Sequence, residues 1–302
     1  MLTVKRLVYK WIDRRFLGGC SSYNTLDIRK NCRSKLQARE VFAAFNIPHA
    51  KGDIFINPYK AVKFARIHGF PLVVKPNVSG FSRGSHFPIT GFRELLSAIF
   101  LAKMWWPVSV VEQYLEGKNY RVVVVREGIM SVIRRYPPFV DGDGRNSISR
   151  LVDRENDLRE SMDLFPVIHP IPKDRKIRHY LKKRNLTLES VPADGERVQL
   201  FNRISLAPGG VIETIDKNSL AEDNRKLFEG ILDHFGANIL GIDAIFEKGI
   251  EQSCRQQKAI LLEVNSRPYL KMHDVPRYGQ KEDLTPCYDR LDNLVVQQQD
   301  IY

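Results

Sequence analysis

Ile260-Leu261-Leu262-Glu263-Val264-Asn265-Ser266-Arg267-Pro268 reads as a buried strand that carries a carboxylate and an amide where aliphatic residues are expected. Side chains alternate faces along a strand, so Glu263 and Asn265 point one way and Leu262 and Val264 the other. A second apolar run, Ile239-Leu240-Gly241-Ile242-Asp243-Ala244-Ile245-Phe246, holds one further carboxylate, Asp243. If the two runs are neighbouring strands, three oxygen-bearing side chains meet on one face. Hard cations such as magnesium take oxygen ligands and complete their shell with substrate phosphates. Two readings stand at this point: a cation site, or polar strand ends open to solvent.

The rest of the chain bounds the choice. Its 302 residues can form two or three lobes around substantial cores. A formal net charge of +12 favours anionic partners (phosphates, acidic metabolites, nucleic acid, a membrane surface) without choosing among them. Cys20, Cys32, Cys254 and Cys287 are scattered with no CxxC pair, which argues against a disulfide framework or zinc site and for a reducing cytoplasm. The longest apolar stretch, Leu95 to Val111, is broken by Lys103 and Pro107, whereas a membrane span needs ~20 residues. Met1 to Phe16 lacks the core and cleavage site of a signal peptide. Val4, Leu7, Val8, Trp11 and Ile12 fall at helical spacing among basic residues. Such a helix can lie on an anionic membrane, but the reading taken is that it packs on its own domain or on a second subunit.

Helical patterns run from Ser34 to Phe45, Asn57 to Ile67, Phe92 to Met104, Ile148 to Asn156, Ile177 to Arg184 and Asn218 to Phe235. Strands are expected at Pro71 to Pro76 and Val108 to Gln113. A hairpin, Tyr120–Val125 with Met130–Arg135, turns at Glu127-Gly128. This alternation predicts layered α+β lobes and excludes a helical bundle or a sandwich. Basic residues are spread along the chain without aromatic interleaving, so nucleic-acid binding is not expected.

No GxxxxGK[ST], GxGxxG or HExxH motif is present. Gly80-Phe81-Ser82-Arg83-Gly84 fits the GxSxG nucleophile elbow. That elbow needs a strand running straight into the serine and a helix straight after it, which Asn77-Val78-Ser79 and Pro88 prevent. The loop is better read as a phosphate cradle. Ser79, Gly80, Ser82, Gly84 and Ser85 allow close backbone approach, and Lys75 on the preceding strand adds a point charge.

Together these blocks resemble the ATP-grasp enzymes. Val73-Val74-Lys75-Pro76 with the Gly/Ser loop is similar to the central lobe of that family. Val111-Glu112-Gln113-Tyr114-Leu115-Glu116-Gly117 is similar to its adenine-holding hinge strand. Gly241-Ile242-Asp243 and Leu262-Glu263-Val264-Asn265 are similar to its metal-binding strands. A narrower likeness to the branch of cyanophycin synthetase and the ligase half of bifunctional glutathione synthetase rests on further blocks. These are Asn119-Tyr120-Arg121-Val122, Pro137 to Gly144 with Ser147-Ile148, Ser190-Val191-Pro192, Gly209-Gly210, and Met272-His273-Asp274-Val275-Pro276.

The resemblance implies an ATP-grasp fold, two α+β lobes gripping ATP between antiparallel sheets. It places a helix and linker at 1–30, the grasp domain at 31–280 with a nucleotide lid at about 72–112, and a tail at 281–302. It implies that Lys75 contacts the nucleotide, with Lys35 or Arg39 marking the first grasp helix. The loop Ser79, Gly80, Ser82, Gly84, Ser85 would close over the triphosphate. Backbone groups of Glu112 and Leu115, flanking Gln113, would read adenine, and Asn119 would face the ribose. Arg134 or Arg135, and Arg267, would meet the reacting phosphates; Asp243, Glu263 and Asn265 would hold magnesium, for which manganese could substitute.

The implied activity is ATP-dependent carboxylate–amine ligation on an amino acid or small peptide. An ATP-grasp kinase and a non-catalytic ATP-binding partner protein are the rivals. Three departures from the family pattern matter: Asn119 stands where an acid is usual, Ile204 to Pro208 lacks the usual Asn and Ser-Thr before Gly209-Gly210, and Tyr269 replaces a common Gly. The large amino-terminal domain of the relatives has no counterpart in Met1 to Asn31, so a homodimer partner or another protein is expected to supply that surface.

Overall fold

The computed structural model describes Trp11 and residues 23–33, 35–77 and 84–292, and among these described residues the strands form three antiparallel sheets. The helix expected over Met1 to Phe16 lies, Trp11 apart, outside the described residues, as do Ser79, Gly80 and Ser82. Among the described residues after Trp11, the helices α1 (Leu26–Arg33) and α2 (Lys35–Ala44) come first.

The first lobe follows as β1 (Gly52–Phe55), α3 (Pro58–His68), β2 (Leu72–Pro76), β3 (His86–Ile89), α4 (Phe92–Trp105) and β4 (Ser109–Gln113), with strand order β1-β4-β2-β3. Asn57 starts α3 by accepting the Tyr59 N–H at 2.9 Å, and Pro58 occupies the first turn, where its missing donor costs nothing. Ala61, Phe64 and Ala65 of α3 and Leu95, Ala98, Ile99 and Ala102 of α4 bury against Phe55, Leu72, Val74 and Val111. The lobe therefore begins earlier than expected, at Gly52.

The second lobe is a five-stranded sheet of β5 (Lys118–Val125), β6 (Gly128–Tyr136), β9 (Val211–Ile215), β10 (Ile239–Phe246) and β11 (Ala259–Asn265), in the order β11-β10-β5-β6-β9. Helix α7 (Glu222–Phe235) packs Phe228, Ile231 and Leu232 on one face, against Tyr120, Val122, Ile242 and Phe246. The expected start at Asn218 is displaced because the Asp216 side chain accepts the Asn218 N–H and closes a separate 3₁₀ turn. Between β6 and β9 a small subdomain folds from β7 (Phe139–Asp141), α5 (Ile148–Ser161), α6 (Arg175–Lys182) and β8 (Arg197–Gln199) around Val140, Ile148, Leu181 and Val198.

Two expected boundaries move. Asn24 is buried and donates to the carbonyls of Ile239 and Ser266 at 2.8 Å each, so residues 23–30 belong to the second lobe and not to a linker. After the short α8 (Lys271–Asp274), α9 (Thr285–Asp292) and its approach bury Leu284 and Leu291 with Tyr23 and Ile239, where a tail was expected. Cys32 and Cys254 are free thiols; burial pushes Cys32 up to about 12, so it serves packing. Among the described residues no helix is long and apolar enough to cross a membrane.

Candidate functional site

β10 lies between β11 and β5, so Asp243 has Glu263 on one side and Arg121 on the other. On the same face Asn119 pairs across with Arg135 of β6. Arg121 grips Asp243 with both prongs, Nε to Oδ1 at 2.6 Å and Nη2 to Oδ2 at 2.8 Å. Arg135 Nη2 stands 3.0 Å from Oδ2, while its Nε donates to Asn119 Oδ1 at 2.8 Å. Glu263 is looser: its Oε1 lies 4.0 Å from Arg121 Nη2 and accepts the Asn265 amide at 3.4 Å. Two guanidiniums thus face two carboxylates, and the cluster is near neutral as it stands.

Burial alone would raise the Asp243 pKa, but the charges and hydrogen bonds of Arg121 and Arg135 outweigh it and hold the carboxyl well below the usual range. His273 of α8 forms the buried floor, its Nδ1 3.0 Å from the Ser131 hydroxyl. Burial, with Arg121 and Arg135 nearby, brings this imidazole down to about 3, so it is neutral and adds no third cation. Its Nε2 has no hydrogen-bond partner among the described residues.

A second charge cluster lies in the first lobe. Lys75 of β2 and Arg39 of α2 both ion-pair with Glu112 of β4, which is buried. Gly52 makes room for it, since a Cβ there would come within 2.9 Å of the Glu112 Cβ and Arg39 Nη2. Gln113 donates to the Lys51 carbonyl at 2.9 Å and Tyr114 to the Pro71 carbonyl at 3.1 Å. By antiparallel alternation the Glu112 backbone then turns toward Val73 of β2 and is spent in the ladder, while Leu115 lies beyond the strand end. Gly84 has φ +71°, and a Cβ there would meet Pro76 and Trp105 at 2.8 Å. The Ser85 carbonyl accepts from Arg203 at 3.2 Å.

The expected residues sort themselves against this geometry. Asp243, Glu263, Asn265, Asn119 and Arg135 share one face, and Lys75 meets Glu112 in the other lobe. Arg134 lies over the Tyr136 ring at 4.4 Å, on the opposite face from Arg135. Arg267 is exposed just past β11. Lys35 opens α2, one turn before Arg39, and its side chain is outside the described set. Asn119 engages Arg135. Sequence reasoning assigned no role to Arg121 or His273. The signal for Arg121 was available: a cation in the interior of the valine-rich β5, beside a strand with a lone carboxylate.

The donor set suits a hard cation. Asp243 and Glu263 are register partners and Asn265 is the next residue on that face of β11. Among the described residues no three His, Cys, Asp or Glu side chains group into a closed metal cage. Two carboxylates and an amide leave coordination positions for phosphate oxygens, as magnesium prefers. Arg121 and Arg135 now hold the Asp243 oxygens, so a cation at Asp243 requires an anion to take up the guanidiniums.

No protein-family model matches the chain. It is 28% identical over 250 residues to the cyanophycin synthetase of Trichormus variabilis, covering 81% of this chain and 27% of that one. It is 27% identical over 260 residues to the bifunctional glutathione biosynthesis protein of Streptococcus agalactiae, covering 84% and 34%. The chain thus spans about a third or less of the curated relatives it matches. The crystal structure of a bifunctional glutathione synthetase from Pasteurella multocida superposes with a TM-score of 0.64 at 23% identity, over 89% of this chain and 37% of that one. The fold is the ATP-grasp fold. In sequence the chain is similar to cyanophycin synthetases and bifunctional glutathione biosynthesis proteins.

Proposed function

We propose that the chain is an ATP- and magnesium-dependent carboxylate–amine ligase, ADP-forming and cytoplasmic, that makes an amide or peptide bond on an amino acid or small peptide. The observation that supports this most is the pair of charge clusters, Lys75–Glu112–Arg39 and Arg121–Asp243–Arg135, in the two sheets joined by the short segment 114–117. In each, one carboxylate satisfies two cations, so an arriving polyphosphate finds positive groups already in place.

Lys75 and Arg39 would turn from Glu112 to the nucleotide phosphates, with Leu115 at the adenine and Asn119 at the ribose. The loop from Ser79 to Ser85 would cover the triphosphate and exclude water. Arg135 and Arg267 would hold the γ-phosphoryl group as the substrate carboxylate oxygen attacks phosphorus and ADP departs. Asp243, Glu263 and Asn265 would hold magnesium, which supplies charge neutralisation between the phosphates when bound. An amine would then attack the acyl carbon of the acylphosphate, lose a proton and release phosphate. No side-chain nucleophile is needed.

Two measurements test this. Millimolar Mg-ATP should raise the melting temperature, the stabilisation being ~2.7 kcal/mol at a hundredfold excess over Kd. ADP release should need both a carboxylate and an amine, and hydroxylamine should trap a hydroxamate. A phosphorylated product that persists with abundant amine would make the chain a kinase; no thermal shift and no calorimetric binding would remove the nucleotide.

A further inference from the structure

Helix α4 is apolar on two faces. Leu95, Ala98, Ile99 and Ala102 form the buried one, at the spacing of a helix packed on a sheet. The outer face repeats Phe92, Leu96, Phe100 and Met104 every four residues, and the exposed Trp105 and Trp106 follow at the helix end, with Trp105 on the side of Gly84. Phe100 is 67% exposed, Met104 71% and Trp105 60%. A helix apolar all round is normally covered on all sides. With side chains of ~150–250 Å² each, about half exposed, the four make a patch on the order of 400 Å², within the range of the largest patch on a monomer's surface.

The surroundings of the patch are cationic. Helix α3 packs beside α4 on the same sheet and adds exposed Lys60, Lys63 and Arg66, and Arg93 stands on α4 itself. No salt bridge engages any of these four among the described residues. Glu94 is the acid of this face, and it is turned back on the backbone N–H and hydroxyl of Thr90 at 2.7 and 2.8 Å.

We propose that the outer face of α3 and α4 docks on an anionic lipid bilayer. An apolar stripe that ends beside two exposed tryptophans and carries a basic rim matches the interface, where indoles sit at headgroup level and lysines and arginines meet anionic headgroups. The charge argues against the other occupants. A second copy would set the same four cations against themselves, and residues 1–22 bring Lys5, Arg6, Lys10, Arg14 and Arg15 to an already basic surface. This proposal does not depend on the ligase reading.

The test uses the full chain with vesicles of phosphatidylcholine alone or with about a third phosphatidylglycerol. Co-sedimentation should be at least about tenfold stronger with the mixed vesicles and should weaken as salt screens the rim. Leu96→Glu with Phe100→Glu should reduce binding about tenfold or more while leaving the far-ultraviolet spectrum unchanged, since both sites are exposed. In a Trp11→Phe chain, brominated lipid should quench the fluorescence remaining from Trp105 and Trp106. Absence of binding to the mixed vesicles overturns the proposal. So does binding that the double variant leaves intact, which moves the contact to residues 1–22. A lipid-free dimer that the double variant converts to monomer assigns the face to a second copy instead.

Discussion

Asp243 is held by Arg121 and Arg135, and the imidazole beneath them stays neutral because burial disfavours its charged form and the same two guanidiniums repel its proton. Both facts cost stability on acidification, but over different pH ranges. The Asp243 pKa lies below its unfolded value of ~3.9, so its contribution is complete above that pH and is lost only as pH falls through the folded pKa. His273 lies at about 3 in the fold against ~6.5 unfolded. Below pH ~6.5 the unfolded chain therefore takes a proton that the folded chain refuses, and stability falls as pH drops. His273→Gln should flatten the urea-midpoint profile between pH ~6.5 and ~4, by at most about 1.4 kcal/mol per pH unit. His86, also lowered by burial and by Arg203, affects both proteins alike. Coincident profiles for the two proteins would mean that His273 is not shut in with the arginines. The carboxylates of this cluster were legible in the sequence because charge in an aliphatic strand is anomalous. Their pairing with Arg121 and Arg135 was not, since pairing across strands depends on register.

At the scale of elements, β11 carries two jobs on two faces. Glu263 and Asn265 face the charge cluster, while Val264, 3% exposed, packs with Leu261 and Ile242 in the core beneath α7. Val264→Ala should cost roughly 1–3 kcal/mol in urea unfolding and leave Mg-ATP affinity unchanged. Glu263→Gln should reverse the pattern, with turnover falling at an unaltered midpoint. If Val264→Ala abolished nucleotide binding and Glu263→Gln did not, the face assignment would be inverted. Long elements such as α4, α7, the β5–β6 hairpin and β10 were legible from periodicity and composition. β1, β3, β8 and β9, with three to five residues each, were not, because their form comes from pairing. Neither was α1, whose anchor is the bonding of Asn24 to two distant carbonyls.

For the whole molecule, the contact that joins the small subdomain to the first lobe is made by polar side chains from the segment after β8. Asn202 donates to the Phe87 carbonyl at 3.3 Å and Arg203 to the Ser85 carbonyl at 3.2 Å, next to the cradle loop. Both acceptors are backbone groups on or beside β3, the edge strand of the first sheet, so the bonds occupy an otherwise open edge. They connect bodies with separate cores and take no part in either core. Their loss should therefore loosen the junction without unfolding the parts. Asn202→Ala with Arg203→Ala should speed amide exchange at 85–89 while exchange in β5, β6 and β10 stays as it was. The global urea midpoint should move little, because two part-buried hydrogen bonds contribute only ~0.5–1.5 kcal/mol each. If the cradle must close over a nucleotide, Mg-ATP should slow exchange at 85–89 in both proteins, and by a larger factor in the variant, which starts looser. Equal exchange rates at 85–89 in variant and parent would show that β3 is held by its own sheet and that the junction does not restrain the loop.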